Sequence, residues 1–213
     1  MKVLSVESLV FPEVKVVRFG RFADERGYFC EHFRKSDFER SLPFLDAPFV
    51  QCNESYSRPG TLRGMHFQWN PHVGKLVRTV HGHMIDLVLD IRHGSRTYGK
   101  IIAHDMPADH ARPDNQWIWI PPGFAHGGLF LRETTIEYYC TGEYNPACEA
   151  GISPLAADLD WSQCAPTLKR AFDQVAFATQ LLSPKDKAGM TLAAWSHDER
   201  ARHFLYPASR KAG

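Results

Sequence analysis

A guanidinium, an imidazole and an ammonium crowd into one short stretch of this 213-residue chain. The stretch is Thr61-Leu62-Arg63-Gly64-Met65-His66-Phe67-Gln68, with Lys75 nine residues after His66. Imidazole is the side chain best matched to taking a proton near neutral pH. A fixed ammonium can stabilise the oxyanion that forms when a proton leaves a carbon next to a carbonyl. A hydroxyl on the facing wall would return a proton, and Tyr138 is the candidate, sharing strand parity with Ile136 and Cys140. On that apolar face a phenol needs a polar partner, and an ordinary core tyrosine fits the same spacing. Strict alternation would send Arg63 and His66 to opposite faces, so both reach one cavity only if the strand bulges, and Gly64 is where it would do so. The alternative is a regular strand with one buried, hydrogen-bonded histidine and one exposed arginine.

The elements that must position these groups are short and rich in β pattern. Valines at 10, 14, 16 and 17 surround Pro12 and read as short strands. Residues 35–42 read as a short helix ended near Pro43, and Pro59-Gly60 turns the chain into the His66 segment. The cleanest alternation puts Ile85, Leu87, Leu89 and Ile91 on one face and Met84, Asp86, Val88 and Asp90 on the other, where the aspartates are expected to cap or salt-bridge structural neighbours. Gly82, between His81 and His83, is expected to turn a hairpin, and residues 129–140 to form another. His72 reads as a loop histidine, and Glu137 is expected to face away from the side of Tyr138. Many short strands punctuated by Gly and Pro predict a sandwich or barrel. After Trp161 the pattern changes: residues 168–177 predict an amphipathic helix and 182–187 a polar turn. Residues 1–213 therefore read as a single domain carrying 162–213 as a helical or irregular appendage, with no internal repeat.

Composition narrows the function. A formal net charge of +1 lacks the general footprint of a nucleic-acid binder, so an anionic ligand must be held by local arginines and lysines. Five cysteines without a C-x-x-C pair fit reduced thiols in the cytoplasm. The N-terminus does not read as a signal peptide, and no apolar run approaches the roughly 18 residues of a membrane helix. Two histidine-bearing segments about sixty residues apart first suggest a metal, but an ammonium at Lys75 has the wrong sign beside a cation.

Six blocks in order carry a family resemblance: Phe22-x-Asp24-x-Arg26-Gly27-x-Phe29-x-Glu31, Gln51-x-Asn53-x-Ser55, Leu62 to Gln68, Gly74 to Arg78, Asp90 to Gly99, and Ile120-Pro121-Pro122-Gly123-Phe124-Ala125-His126-Gly127. Together they resemble the dTDP-4-dehydrorhamnose 3,5-epimerases over about residues 9–190. The resemblance implies a mainly β fold, a double-stranded β-helix of cupin or jelly-roll type with a few short peripheral helices. It implies epimerisation of a dTDP-4-keto-6-deoxyhexose at C3, C5 or both, without cofactor or metal. His66 falls on the family's base, Asp186 on its carboxylate partner, Tyr138 on the general acid and Lys75 on the lysine near the sugar carbonyl. Arg26, Glu31, Gln51, Asn53, Arg63 and His126 fall on positions lining the nucleotide-sugar site, with Arg26 and Arg63 suited to the diphosphate. A homodimer with exchanged N-terminal strands is implied as well, with a dTDP-sugar as substrate and no nucleic-acid or membrane partner. Gly128, where an aromatic is usual, is expected to open the site or to alter its grip on the base. The rival readings are a single-position epimerase or keto-sugar isomerase on another nucleotide sugar, a cupin that binds a nucleotide sugar without turning it over, and a metal-dependent cupin dioxygenase.

Overall fold

The computed structural model describes residues 2–45, 47–178 and 181–206. Six strands form one antiparallel sheet: β1 (Val3–Ser8), β2 (Lys15–Gly20), β10 (Asp114–Ile120), β7 (Lys75–His81), β12 (Thr134–Cys140) and β5 (Gln51–Ser57), in that spatial order. Five form the other: β13 (Glu149–Gly151), β6 (Thr61–Gln68), β11 (Phe124–Phe130), β8 (His83–Asp90) and β9 (Ile101–Pro107). A small hairpin, β3 (Phe22–Asp24) with β4 (Gly27–Phe29), stands apart from both. Among the described residues there are four α-helices, α1 (Lys35–Ser41), α2 (Pro166–Ala178), α3 (Pro184–Lys187) and α4 (Leu192–Ser196), and two short 3-10 helices.

Strand alternation sorts the buried side chains into three apolar layers. Between the sheets lie Val77, Met84, Val88, Ile118, Phe124 and Ile136, with Tyr138 packed against them. On the far side of the five-stranded sheet, Leu62, Met65, Ile85, Leu87 and Leu89 meet Phe172 and Val175 of α2 and Trp195 of α4. On the far side of the six-stranded sheet, Val17, Phe19, Leu76 and Trp117 meet Phe38 of α1 and Leu42. The β8 alternation is thus as predicted, with Leu87 and Leu89 outward and Met84 and Val88 inward.

Two expected hairpins do not form. β7 and β8 belong to different sheets, so Gly82 carries the chain across the sandwich, and β11 and β12 cross over in the same way. Both strands of each pair bury apolar residues on two faces, and placing consecutive strands in opposite sheets gives each a layer on either side. The predicted turn at 182–187 contains the short helix α3, capped by Ser183 Oγ, which accepts from the Asp186 amide at 3.1 Å. Residues 207–213 of the expected appendage lie outside the described residues.

Candidate active site

A cavity of about 390 Å³ opens at one end of the sandwich. The five-stranded sheet supplies His66 from β6, His126 from β11 and Glu149 from β13. The six-stranded sheet supplies Lys75, Tyr138, Gln51 and Asn53 from β7, β12 and β5.

Of the two readings of the His66 strand, the bulge is the one present. His126 of β11 faces His66 of β6, but Gly128 faces Arg63, so β6 carries one residue more than its partner between these points. Gly64 takes φ +108° there, and a Cβ would fall 2.5 Å from Gly127 Cα and 2.7 Å from the His126 carbonyl oxygen. Only glycine meets both demands. Leu62, Met65 and Phe67 thereby stay in the layer under the helices, while His66 and Gln68 line the cavity. Arg63 reaches the facing sheet, donating from Nε to Ser57 Oγ and from Nη2 to the Tyr56 carbonyl, both at 2.9 Å.

His66 Nε2 lies 2.6 Å from Asp186 Oδ1, with side-chain exposures of 30% and 5%. A carboxylate can only accept, so Nε2 carries the proton and Nδ1 is left to take one. Burial by itself would raise the Asp186 pKa, but hydrogen bonds from His66, Ser183 and the Gly64 amide hold it below the usual carboxylate value. Gly151 packs its backbone against the imidazole, where a Cβ would sit 3.1 Å from His66 Cδ2.

On the other wall, burial lowers the pKa of Lys75, against the pull of Cys140, Glu149 and Asp86. Burial raises that of Tyr138, with Cys140 adding to the effect and a hydrogen bond to Asn53 and the Arg63 charge opposing it. Asn53 is held in turn by Gln51, whose Nε2 donates to Asn53 Oδ1 at 2.9 Å.

Of the ten site residues expected, seven line the cavity or hold one that does: His66, Asp186, Lys75, Tyr138, Gln51, Asn53 and His126. Arg63, bonded to Ser57 and Tyr56, is not among the cavity lining. Arg26 and Glu31 are not among the cavity lining. Arg26, 85% exposed, sits in the β3–β4 turn with Nη2 2.6 Å from Asp24 Oδ2, and Glu31 accepts from Arg34 at 2.8 Å. Gly128 does not open the site, because Met84 Cε and the Phe130 ring fill the space above it. His72 is a loop residue bonded to the His203 carbonyl oxygen at 3.0 Å, and Glu137 pairs with Arg78 at 2.6 Å.

Two contributors escaped the sequence reading. Asp86 was read as structural together with Asp90. Asp90 is so, accepting from Arg92, Ser95 and Thr97. Asp86, wholly buried, instead accepts from His126 Nε2 at 2.8 Å. Glu149 joins Lys185 at 2.5 Å and the Tyr144 hydroxyl at 3.0 Å across the cavity mouth. The inward parity of Asp86 was visible in the sequence; that His126 would come within its reach required knowing that β11 pairs with β8.

The profile of the family described as dTDP-4-dehydrorhamnose 3,5-epimerase matches residues 8–194. The chain belongs to the dTDP-4-dehydrorhamnose 3,5-epimerase family. Among named members, that of Escherichia coli K12 is 38% identical over 175 residues, covering 80% of this chain and 85% of the relative. That of Neisseria gonorrhoeae is 36% identical over 202 residues, 93% of this chain but 55% of the relative, so this chain spans about half of that protein. Among solved structures, the dTDP-6-deoxy-D-glucose-3,5-epimerase of Legionella pneumophila Philadelphia 1, in complex with dTDP-4-keto-L-rhamnose, superimposes with a TM-score of 0.79 at 32% identity. The match covers 96% of this chain and 99% of that one. Among the described residues no helix is long and apolar enough to cross a membrane, and no three His, Cys, Asp or Glu side chains are grouped to hold a metal ion.

Proposed function

We propose that this epimerase-family chain inverts C3 and C5 of a dTDP-4-keto-6-deoxyhexose by moving protons alone. The observation that carries the reading is the His66–Asp186 pair on one sheet, with Lys75 and Tyr138 on the sheet facing it. The 4-keto group acidifies the hydrogens on both neighbouring carbons. His66 Nδ1 takes one of them while Asp186 steadies the imidazolium through Nε2. The C–H electron pair moves into an enolate whose oxygen is stabilised by Lys75. Tyr138 then returns a proton to the opposite face of the same carbon. Oxidation state does not change, so the reaction needs no redox partner. Gln51, Asn53 and His126 are assigned to the sugar and Arg63 to the diphosphate, where a planar guanidinium suits paired oxygens.

The placement of Arg26 and Glu31 is accommodated by a homodimer. Their segment carries exposed Phe22, Tyr28, Phe29 and Phe33, an apolar surface of the kind that a second subunit covers. Each N-terminal segment would then bring Arg26 and Glu31 to the partner's cavity. All five cysteines are free, which fits a reducing cytoplasm.

Proton NMR of the protein with dTDP-4-keto-6-deoxyglucose in deuterated water tests the reaction. Deuterium is expected at both C3 and C5 with wild type and at neither with His66→Ala. Exchange at one carbon alone would assign a single-position epimerase, and binding without exchange at either would overturn the reading. Mixed dimers of Arg26→Ala and His66→Ala subunits test the assembly, since they contain one intact composite site and should regain activity that neither variant has alone.

A further inference from the structure

The two carboxylate oxygens of Asp86 have different surroundings. Oδ2 accepts from His126, while Oδ1 is buried without a hydrogen-bond partner among the described residues. A buried carboxylate oxygen left unpaired is costly, and such atoms call for a specific partner. The residue directly across the ladder on β9 is His104, and directly opposed residues hold their Cβ atoms about 4.5–5.5 Å apart. His104 also lines a second cleft of about 300 Å³, formed with Arg18, Thr79 and Gln116 and sharing no lining residue with the His66 cavity.

The tautomer of His104 follows from its other neighbour. Gln116 Nε2 donates to the Asp105 carbonyl at 3.1 Å, which leaves Oε1 as the atom facing His104 Nε2 at 3.4 Å. His104 Nε2 is therefore the donor. Burial lowers the His104 pKa, with Asp86 and Asp105 opposing, so the ring is neutral and its Nδ1 is an acceptor. Two acceptors, Nδ1 of His104 and Oδ1 of Asp86, cannot bond each other. A molecule with two O–H donors satisfies both.

We propose that a buried water, entering from the second cleft, donates to Asp86 Oδ1 and to His104 Nδ1. It completes a file, His104–water–Asp86–His126, that runs between the sheets and fixes His126 in the substrate cavity. The inference rests on the epimerase reading. Within it Asp86 and His104 are positioning residues: neither touches substrate, and together they hold His126 with its Nε2–H on Asp86 and its Nδ1 free.

A crystal structure showing individual waters, nitrogen-15 NMR of the His126 ring, and kinetics of His104→Phe and His104→Asn test the file. Expected are a water between Asp86 and His104 and an Nε2–H tautomer of His126 in wild type. For His104→Phe, kcat should fall about tenfold with KM within twofold, the scale of one lost hydrogen bond. His104→Asn, whose amide oxygen can accept from the same water, should recover kcat to within about threefold of wild type. Direct contact between Oδ1 and Nδ1 with no water would overturn the proposal. So would wild-type kinetics and an unchanged His126 signal in His104→Phe. If wild type itself exchanges neither C3 nor C5, the epimerase reading fails, while the water and the His126 tautomer still decide the file.

Discussion

In the proposed reaction Asp186 fixes the tautomer in which His66 takes the proton. Its carboxylate is charged through the physiological range because three donors outweigh its burial, and an amide in its place could instead donate to Nε2 and turn the imidazole to the wrong tautomer. Asp186→Asn is expected to lower kcat by about 10²- to 10⁴-fold with KM changed less than threefold. A large rise in KM with kcat intact would show instead that Asp186 serves binding. Lys75 presents the opposite case, an ammonium kept where burial disfavours its charge. Its folded-state pKa lies below the unfolded value, so the proton is lost at lower pH than from a free lysine. The alkaline limb of kcat should accordingly fall below the ordinary lysine value of about 10.4. Lys75→Met should cost about 10²- to 10³-fold in kcat yet raise the thermal midpoint by roughly 2–4 °C, because a charge whose burial outweighs its acidic neighbours leaves the cavity wall. A lower midpoint in this variant would mean that the ammonium stabilises the fold.

At the scale of elements, the site depends on one extra residue in β6. The bulge lets the strand show Met65 and Phe67 to the helices and His66 to the cavity, and it brings the Gly64 amide to Asp186. Gly64→Ala adds a Cβ 2.5 Å from the Gly127 backbone at φ +108°. The expected loss is at least about 2 kcal/mol, from backbone strain and overpacking together, visible in the chemical denaturation midpoint. A variant as stable as wild type would show that β6 and β11 can separate without harm. α3 contributes in a different way: its Ser183 cap fixes the turn from which Asp186 reaches His66. The bulge was one of two readings in advance, because a glycine between Arg63 and His66 marks where a strand can bulge while a regular strand would place the two on opposite faces. The helix α3 was not legible, since four residues are too few to show a helical period.

Taken as a whole molecule, the sandwich holds polar groups in its outer layers whose protonation couples to folding. His32 sits beside Arg78, which donates to its Nε2 at 3.0 Å. Burial first, then the Arg78 charge, pushes its pKa down from 6.5 to about 4, with Glu137 opposing. Between those two values the unfolded chain binds the proton and the folded chain does not, so stability rises with pH across about 4 to 6.5 and is lost again on acidification. Equilibrium denaturation of His32→Gln should show a shallower slope in that window; an unchanged slope would move the effect to other groups.

Sequence alone determined the β-rich class, the two faces of β8 and, through the six ordered blocks, the family; it offered the bulge at Gly64 as one of two readings of that strand. These are local facts: period, glycine position and residue order survive without knowledge of what packs where. Only the tertiary structure decided which strands lie in which sheet, that Gly82 crosses the sandwich, and that Asp186 comes within 2.6 Å of His66 across 120 residues of chain. Only it revealed that Asp86 serves His126 while Asp90 serves Arg92, since both aspartates share one strand, one face and one local pattern. What separates them is the strand that pairs alongside, and strand pairing at long range is chosen by burial of the whole molecule.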